Sequence, residues 1–288
     1  MNVVHDAREL ESRPRAVAVG TFDGVHLGHR RVLEAALAAR LTPTLVTFDP
    51  HPRIALGYEV QLLATLRRRL ELVAEAGIED ALVVEFDLGL AQLEPEEFAD
   101  VVLRPIGTEV VVTGANFRFG RGRSGDLALL SRLGFDARPV PLVEGVSSTR
   151  IRDLLRWGEV EQAARQLGRP AELEGTVVAG DARGGTLGFP TANLRVDPEL
   201  LVPAYGIYAG AANGCRAAIS IGTNPHYGGE ERRVEAHLLD FEGDLYGRPL
   251  LLQLWRRLRD EQAFASEEEL IRQIAKDVEE TRAAAPPA

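Results

Sequence analysis

The chain has 288 residues, 45% of them hydrophobic, and a formal net charge of −10 from 43 acidic against 33 basic side chains. That length provides one large domain or two ordinary ones, and the apolar fraction excludes a disordered chain. The acidic balance excludes general nucleic-acid binding, which needs a surplus of Lys and Arg. It leaves room for a small phosphate ligand held by a few Arg side chains and backbone N–H groups. One cysteine, Cys215, excludes an internal disulfide framework and a cysteine zinc site. The opening residues lack the apolar core of a secretion signal, and no apolar run approaches the ~18 residues of a membrane span. The expectation is a soluble, cytoplasmic protein with no membrane and no nucleic-acid partner.

In chain order, the first half alternates short apolar runs with helical patterns. Strands are expected at "RAVAVG", "TLVTF", "ALVVEF", "EVVVTG" and "ARPVPL", with helices at "RRVLEAALAAR", "LRRRLELVAEAG", "PEEFADVVLRPIG" and "DLALLSRLG" between them. Val32, Leu33, Ala36 and Leu37 share one helical face, and Gly77 and Gly134 stand at expected C-terminal caps. Apolar strands separated by helices predict a parallel sheet covered on both faces. Ligands bind such sheets at the carboxyl ends of strands, at a switch point. Two more helices, "STRIRDLLRWG" and "VEQAARQLG", end at Gly158 and Gly168.

From about residue 172 to 258 the pattern changes to short strands: "EGTVVAG", "GIYAGAA", "CRAAISIG", "RVEAHLLDF" and "PLLLQLWRRL". Asn213–Gly214 is a hairpin signal, and the whole predicts a small, mostly antiparallel barrel. A final helix starts at Ser266, with Glu269 completing a capping box and Leu270, Ile271, Ile274 and Val278 forming an apolar stripe.

"GTFDGVHLGH", residues 20–29, lies where the first strand ends and the first helix begins. A helix N-terminus offers free N–H groups and partial positive charge, glycines let backbone approach a ligand, and His26 and His29 can donate to phosphate oxygens. Nucleotidyl transfer needs in-line positioning and charge neutralisation rather than a covalent nucleophile. The plainer alternative is a turn capped by Asp23 with incidental histidines. In "SSTRIR", Ser148, Thr149 and Arg152 form an anion clamp at a helix start, or an ordinary cap with a solvated Arg. "GRGRSG", residues 120–125, matches a dinucleotide fingerprint but does not follow its strand directly, so a cationic or surface loop is expected. In "GDARGGTLGFPTANL", residues 180–194, Thr191 and Asn193 point to one side of an extended segment, where their oxygens suit Mg²⁺. A solvated loop is the alternative. Glu235 alternates with Val234 and Ala236 as any solvent-facing strand residue does. Trp157 and Trp255 read as packing residues, His237 as a strand neighbour, and His226 and Tyr227 as loop residues.

"GTFDGVHLGH", "VTFDPHPR", "GANFRFGRGRSGD" and "VSSTRIR" follow in the order and spacing of bacterial bifunctional riboflavin kinase/FAD synthetases, which the chain resembles from about residue 15 to 280. "GFPTANL" and "RRVEAHLLDF" resemble that family's kinase signatures. The resemblance implies a Rossmann-like α/β nucleotidylyltransferase domain over residues 1–170, then a β-barrel riboflavin kinase domain with a C-terminal helix over 171–288. It implies phosphorylation of riboflavin to FMN and adenylation of FMN to FAD, with ATP as co-substrate and Mg²⁺ as cofactor. By resemblance, His26 and His29 contact the ATP phosphates and stabilise the transition state, within a nucleotide-binding segment that includes Gly20, Phe22, Asp23 and Gly28. Asn116 holds nucleotide or FMN phosphate, and Ser148, Thr149 and Arg152 bind triphosphate. Gly188 and Pro190 contact nucleotide, Thr191 and Asn193 hold Mg²⁺, and Glu235 is the base that accepts the riboflavin hydroxyl proton. One position departs from the family: Gly145 stands where an Arg is common. That departure is the sole support for a rival reading, a riboflavin kinase with a silent α/β domain.

Overall fold

The computed structural model describes residues 1–180, 188–223 and 232–287. They divide into two units, Met1–Val60 with Thr65–Ser147, and Gln61–Ala64 with Ser148–Ala288.

The first unit is a six-stranded parallel sheet of β1 (Asn2–Val4), β2 (Arg15–Val19), β3 (Thr42–Asp49), β4 (Asp80–Glu85), β5 (Thr108–Gly114) and β6 (Asp136–Val140), in the order β1-β4-β3-β2-β5-β6. All five residues of β2 are buried, as a strand covered on both faces requires. Its side chains alternate between two cores. Ala16 and Ala18 pack with Leu33 of α1 (Leu27–Ala38) and Val73 of α3 (Leu66–Glu75). Val17 and Val19 pack with Phe98 and Leu130 from α5 (Pro95–Phe98) and α6 (Leu127–Arg132). Short helices α2 (Pro52–Ala55) and α4 (Leu88–Gln92) complete the unit. The chain runs outward from β2 through β3 to β4, then returns to β5 on the other side of β2. The switch point therefore lies at the carboxyl ends of β2 and β5.

Two local features differ from expectation. "PEEFADVVLRPIG" is not one α-helix: α5 passes into a π-helical turn, Ala99–Leu103, with Ala99, Val102 and Leu103 all buried. β1 is an extra strand, whose three residues are too few to show a period.

At the amino ends of the strands Arg15 is 1% exposed and binds Asp80, and it also donates to Thr44 Oγ1 (2.9 Å) and the Ile106 carbonyl (2.8 Å). Arg13 donates to the same Asp80 carboxylate at 2.8 Å. Burial alone pushes the Asp80 carboxyl up, but the hydrogen bonds from Arg15 and Arg13 outweigh it and hold it below its ordinary value.

The second unit is a closed barrel of β7 (Ala171–Val178), β8 (Ala192–Val196), β9 (Gly206–Ala212), β10 (Cys215–Thr223), β11 (Arg232–Leu238) and β12 (Pro249–Arg259), in the order β10-β11-β8-β7-β12-β9 with every pair antiparallel. Asn213 and Gly214 take φ of 46° and 87°, the left-handed pair that a two-residue hairpin demands. The apolar faces of α7 (Ser148–Arg156) and α8 (Val160–Leu167) join the barrel core, Ile151, Leu155 and Val160 sharing a cluster with Tyr208, Ile219 and Leu252. β8 has no strong alternation of its own. It is a strand because β7 and β11 pair with it on both sides. The last helix, α9 (Glu267–Ala283), is capped by Ser266 and tied down by a forked ion pair from Arg259 to Asp277 at 2.7 Å.

Asp80→Asn leaves Arg15 buried without its counter-charge, and a loss of about 3–5 kcal/mol is expected at neutral pH, read by hydrogen exchange of the β2–β4 amides. Because the folded-state pKa of Asp80 is depressed, the wild-type advantage is full above the ordinary carboxylate pKa of ~3.9 and closes as pH falls through the folded value. A gap that stays constant through the acid range contradicts this.

Candidate active sites

The first site is the β2–α1 connection at the switch point. Phe22 (φ 51°), Gly24 (φ 81°) and Val25 (φ 39°) are all left-handed, and for a β-branched valine that conformation is a genuine strain held by its surroundings. Phe22 and Val25 are buried in the core beneath, which fixes the loop from below. The helix cap is His26, not Asp23: its Nδ1 accepts the His29 N–H at 3.2 Å. An accepting Nδ1 places the ring proton on Nε2. The His26 and His29 rings stack at 3.6 Å and 10°, and Phe22 lies 5.0 Å from the His29 ring. Gly28 lets the His26 ring fold over the helix start, since a Cβ there would stand 3.1 Å from His26 Cε1. Gly20 is similarly close-packed, a Cβ there meeting the Phe22 ring at 3.2 Å.

Beneath the loop, the Thr21 carbonyl accepts from Arg69 Nη1 at 2.6 Å and from Thr47 Oγ1 at 3.3 Å. Burial pushes the Arg69 guanidinium down from its ordinary value, and the carboxylates of Asp23 and Asp49 partly restore it. No sequence motif marked Arg69. Its signal was weak, a charged residue among the apolar positions of an amphipathic helix. At the next strand end His51 caps α2 in the same manner, its Nδ1 accepting the Arg53 N–H at 3.2 Å. Asn116 follows β5 on the other side of the switch point and is exposed, its Oδ1 lying 3.3 Å from where a Cβ on Gly114 would stand. The 120–125 loop is an exposed turn, closed by hydrogen bonds between Phe119 and Gly125 and pinned by an Arg121–Glu94 pair at 2.5 Å. Gly145 has φ 72° in an exposed turn, so a side chain there would carry backbone strain as well as charge.

In the second unit Ser148 and Thr149 open α7, Ser148 half-buried and Thr149 exposed. Arg152 is buried, and its Nε donates to the Gln61 carbonyl at 2.6 Å. That bond ties residues 61–64 to α7, alongside the Leu62–Leu200 bridge. Trp157 corrects an expectation. It is 59% exposed, with the Arg150 guanidinium 5.3 Å above its ring, whereas Trp255 is buried as expected.

The barrel carries the other site. Val234, Ala236 and Leu238 of β11 face the core, so Arg233, Glu235 and His237 face outward and are half-buried. Glu235 pairs in register with Asn193, and Thr191 Oγ1 donates to Glu235 Oε2 at 3.4 Å. Thr191, Asn193 and Glu235 thus converge on one outer face, with Arg233 Nη1 3.7 Å from the Glu235 carboxylate. Three further residues support them. His237 Nδ1 bonds the Pro190 carbonyl at 2.8 Å, and its ring meets Phe189 edge-on at 5.6 Å. Gly180 lies so close to Asn193 that a Cβ would stand 2.1 Å from Nδ2. Beside this face is a cavity of 270 Å³ lined by Val177, Pro190, Thr191, Leu238, Phe241 and Tyr246. Pro190 lines this cavity beside Thr191, and Gly188 is exposed with φ 88°. Residues 181–187, and His226 and Tyr227, lie outside the described residues.

The cationic groups available to phosphates are narrowly set. The sequence has one lysine, Lys276 on α9, so the protein's cations near either site are arginine or histidine. Among the described residues no three His, Cys, Asp or Glu side chains cluster as a metal cage. The oxygens of Thr191 and Asn193 are hard donors of the kind that complete a Mg²⁺ shell shared with nucleotide phosphates.

A parallel α/β unit with a histidine-capped strand–helix loop, joined in sequence to a barrel with a Thr-Asn-Glu face, suits a two-site transferase that uses nucleotide triphosphates. Comparison with known proteins is specific. The family described as FAD synthetase matches residues 8–150, and that described as riboflavin kinase matches residues 167–285. Bifunctional riboflavin kinase/FMN adenylyltransferase of Listeria monocytogenes is 35% identical over 93% of this chain and 92% of its own. That of Escherichia coli K12 is 35% identical over 95% and 94%, and that of Bacillus subtilis 32% over 96% and 94%. A Streptococcus pneumoniae crystal structure, described as a macrolide-efflux protein, has a TM-score of 0.88 at 31% identity over 97% of this chain and 98% of that one. Among the described residues here no helix is long and apolar enough to cross a membrane. The chain belongs to the bifunctional riboflavin kinase/FMN adenylyltransferase family.

Gly180→Ala must displace the Asn193 amide. A fall of about 10²-fold in the ATP-dependent phosphorylation of riboflavin is expected, the usual cost of a misplaced positioning group. FMN adenylation by the same sample should stay at the wild-type rate, and an unchanged kinase rate shows that Asn193 is not needed where it stands.

Proposed function

We propose that this chain phosphorylates riboflavin to FMN with ATP on the barrel face, and adenylates FMN with a second ATP at the β2–α1 loop. The convergence of Thr191, Asn193 and Glu235 on one face, where Glu235 and Asn193 are register partners, carries the reading.

For the kinase step, Glu235 accepts the proton of the riboflavin 5′-hydroxyl as its oxygen attacks the γ-phosphorus, and ADP leaves. Thr191 Oγ1 and the Asn193 side-chain oxygen would hold Mg²⁺, which when bound neutralises charge on the ATP phosphates. The cavity walled by Phe241 and Tyr246 takes the adenine ring of ATP, since Thr191 at its edge belongs to the phosphate end of the site. Pro190, held by His237, and Gly188 shape the same approach.

For adenylyl transfer, an FMN phosphate oxygen attacks the α-phosphorus of ATP and pyrophosphate leaves. No protein nucleophile is needed. His26, donating through Nε2, and His29 stacked on it stabilise charge on the phosphates. The backbone of Gly20, Phe22, Asp23 and Gly28 shapes the loop around the nucleotide, and Asn116 serves the FMN or nucleotide phosphate. Ser148 and Thr149 offer hydroxyls to the triphosphate. Arg152, whose Nε donates to the Gln61 carbonyl, stands in the same segment and is assigned to the triphosphate with them. We assign adenylyl transfer to residues 1–170 and the kinase to 171–288. The work belongs in the cytoplasm, where ATP is supplied and a lone cysteine stays reduced.

Glu235→Gln is expected to cut riboflavin phosphorylation by about 10²–10⁴-fold, the range of a lost general base, while FAD still forms from supplied FMN. His29→Ala is expected to do the reverse. Chromatography of flavins over time, after mixing riboflavin, excess ATP and Mg²⁺, reads both. FMN that accumulates without FAD in the wild type, even when supplied directly, favours the kinase-only reading that Gly145 raises.

A further inference from the structure

Arg69 is 2% exposed, yet it spends little of its hydrogen-bonding capacity. Nη1 donates to the Thr21 carbonyl at 2.6 Å, while Nε and Nη2 make no hydrogen bond among the described residues. The Asp49 carboxylate is 3.8 Å from Nη2, too far for a hydrogen bond, and half-exposed. Burying a guanidinium is costly; the Asp23 and Asp49 carboxylates offset part of that cost through space, but the one group Arg69 hydrogen-bonds among the described residues is a neutral carbonyl. If charge neutralisation were its purpose, a close bidentate pair would be the expected geometry. What Arg69 does hold is one peptide. The Thr21 carbonyl is drawn inward by two donors, Arg69 and Thr47 Oγ1. In a trans peptide the following N–H points the opposite way. The next residue is Phe22, at φ 51°, and its N–H donates no hydrogen bond among the described residues.

We propose that Arg69 is a positioning residue for adenylyl transfer, which locks the Thr21 carbonyl inward so that the Phe22 N–H is presented to the ATP phosphates. This rests on the reading of residues 20–29 as the adenylyl-transfer site. Thr47 is the second half of the same lock, and the strained Phe22 conformation is what the lock maintains. The Phe22 N–H then joins the helix-start amides and His26 Nε2–H as a fixed donor that needs no rearrangement at the moment of reaction.

The test uses the full chain carrying Arg69→Met, Arg69→Lys or Thr47→Val, with FAD formation from FMN and ATP measured beside FMN formation from riboflavin. Arg69→Met is expected to lower the adenylylation kcat by about 10²-fold, the cost of one lost preorganised donor, with KM for FMN moved less than about 3-fold. Thr47→Val should lower kcat by less than about 10-fold, and Arg69→Lys, which can still reach the carbonyl, should recover much of the loss. Kinase rates should stay at the wild-type value in all three. Wild-type kcat in both Thr47→Val and Arg69→Lys, together with an Arg69→Met loss that tracks the kinase rate or cooperative melting, overturns the proposal in favour of simple packing. His29→Ala separates the two levels. If it leaves FAD formation intact, the site reading fails; if it abolishes FAD formation while the Arg69 and Thr47 variants are unaffected, only the lock fails.

Discussion

The pairing of β2 with β3 on one side and β5 on the other is the constraint on which the first unit depends. It puts "RAVAV" at the centre of the sheet, where all five residues are buried and feed both cores. It also creates the reversal of strand order that leaves a crevice at the carboxyl ends of β2 and β5. Stability and function are then placed at opposite ends of one strand. At the amino end, Arg15 and Asp80 are buried and bound tightly to each other. At the carboxyl end, three residues in four are left-handed, of which Phe22 and Val25 carry strain, and the helix cap is a histidine rather than a better capping residue. The well-satisfied end holds the strand still so that the strained end can hold its shape.

In the barrel the corresponding constraint is register. Glu235 and Asn193 are direct partners across β11 and β8, and both face outward only because Val234, Ala236 and Leu194 face inward. A slip of one residue in either strand would turn that strand's functional group into the core and its apolar residues out. The barrel core therefore specifies the site without touching it. The supports around Thr191 act in the same spirit. His237, on the same outward face as Glu235, fixes the Pro190 carbonyl, so one strand carries both the proposed base and the brace for the segment opposite.

How much of this was legible follows from the range of the interactions involved. The strands of the sheet announce themselves as unbroken apolar runs, and the hairpin at Asn213–Gly214 is dictated by two adjacent residues. The loop 20–29 and the 190–193 segment were legible because local spacing sets which side chains share a side. What stayed hidden depends on distant partners. β8 is a strand only because β7 and β11 flank it, and β1 only because β4 does. Arg69 lies more than forty residues from the carbonyl it holds, and nothing in "LRRRLELVAEAG" says which arginine turns inward. Trp157 reads as core by residue type but is exposed, because the apolar face of α7 is supplied by Ile151, Leu154 and Leu155 instead.

A protein of net charge −10 whose substrates and products include ATP, ADP, FMN, FAD and pyrophosphate must attract them locally rather than globally. With a single lysine it cannot line either site with flexible ammonium groups. In the proposed sites the donors are fixed in place: a helix start, an imidazole whose tautomer is set by the His29 N–H, hydroxyls on the barrel face, and an N–H held by Arg69 through a carbonyl, beside the guanidinium of Arg152. Fixed dipoles are weaker than full charges at long range but lose little at contact, and they do not need to be reoriented as charge moves along a phosphate chain.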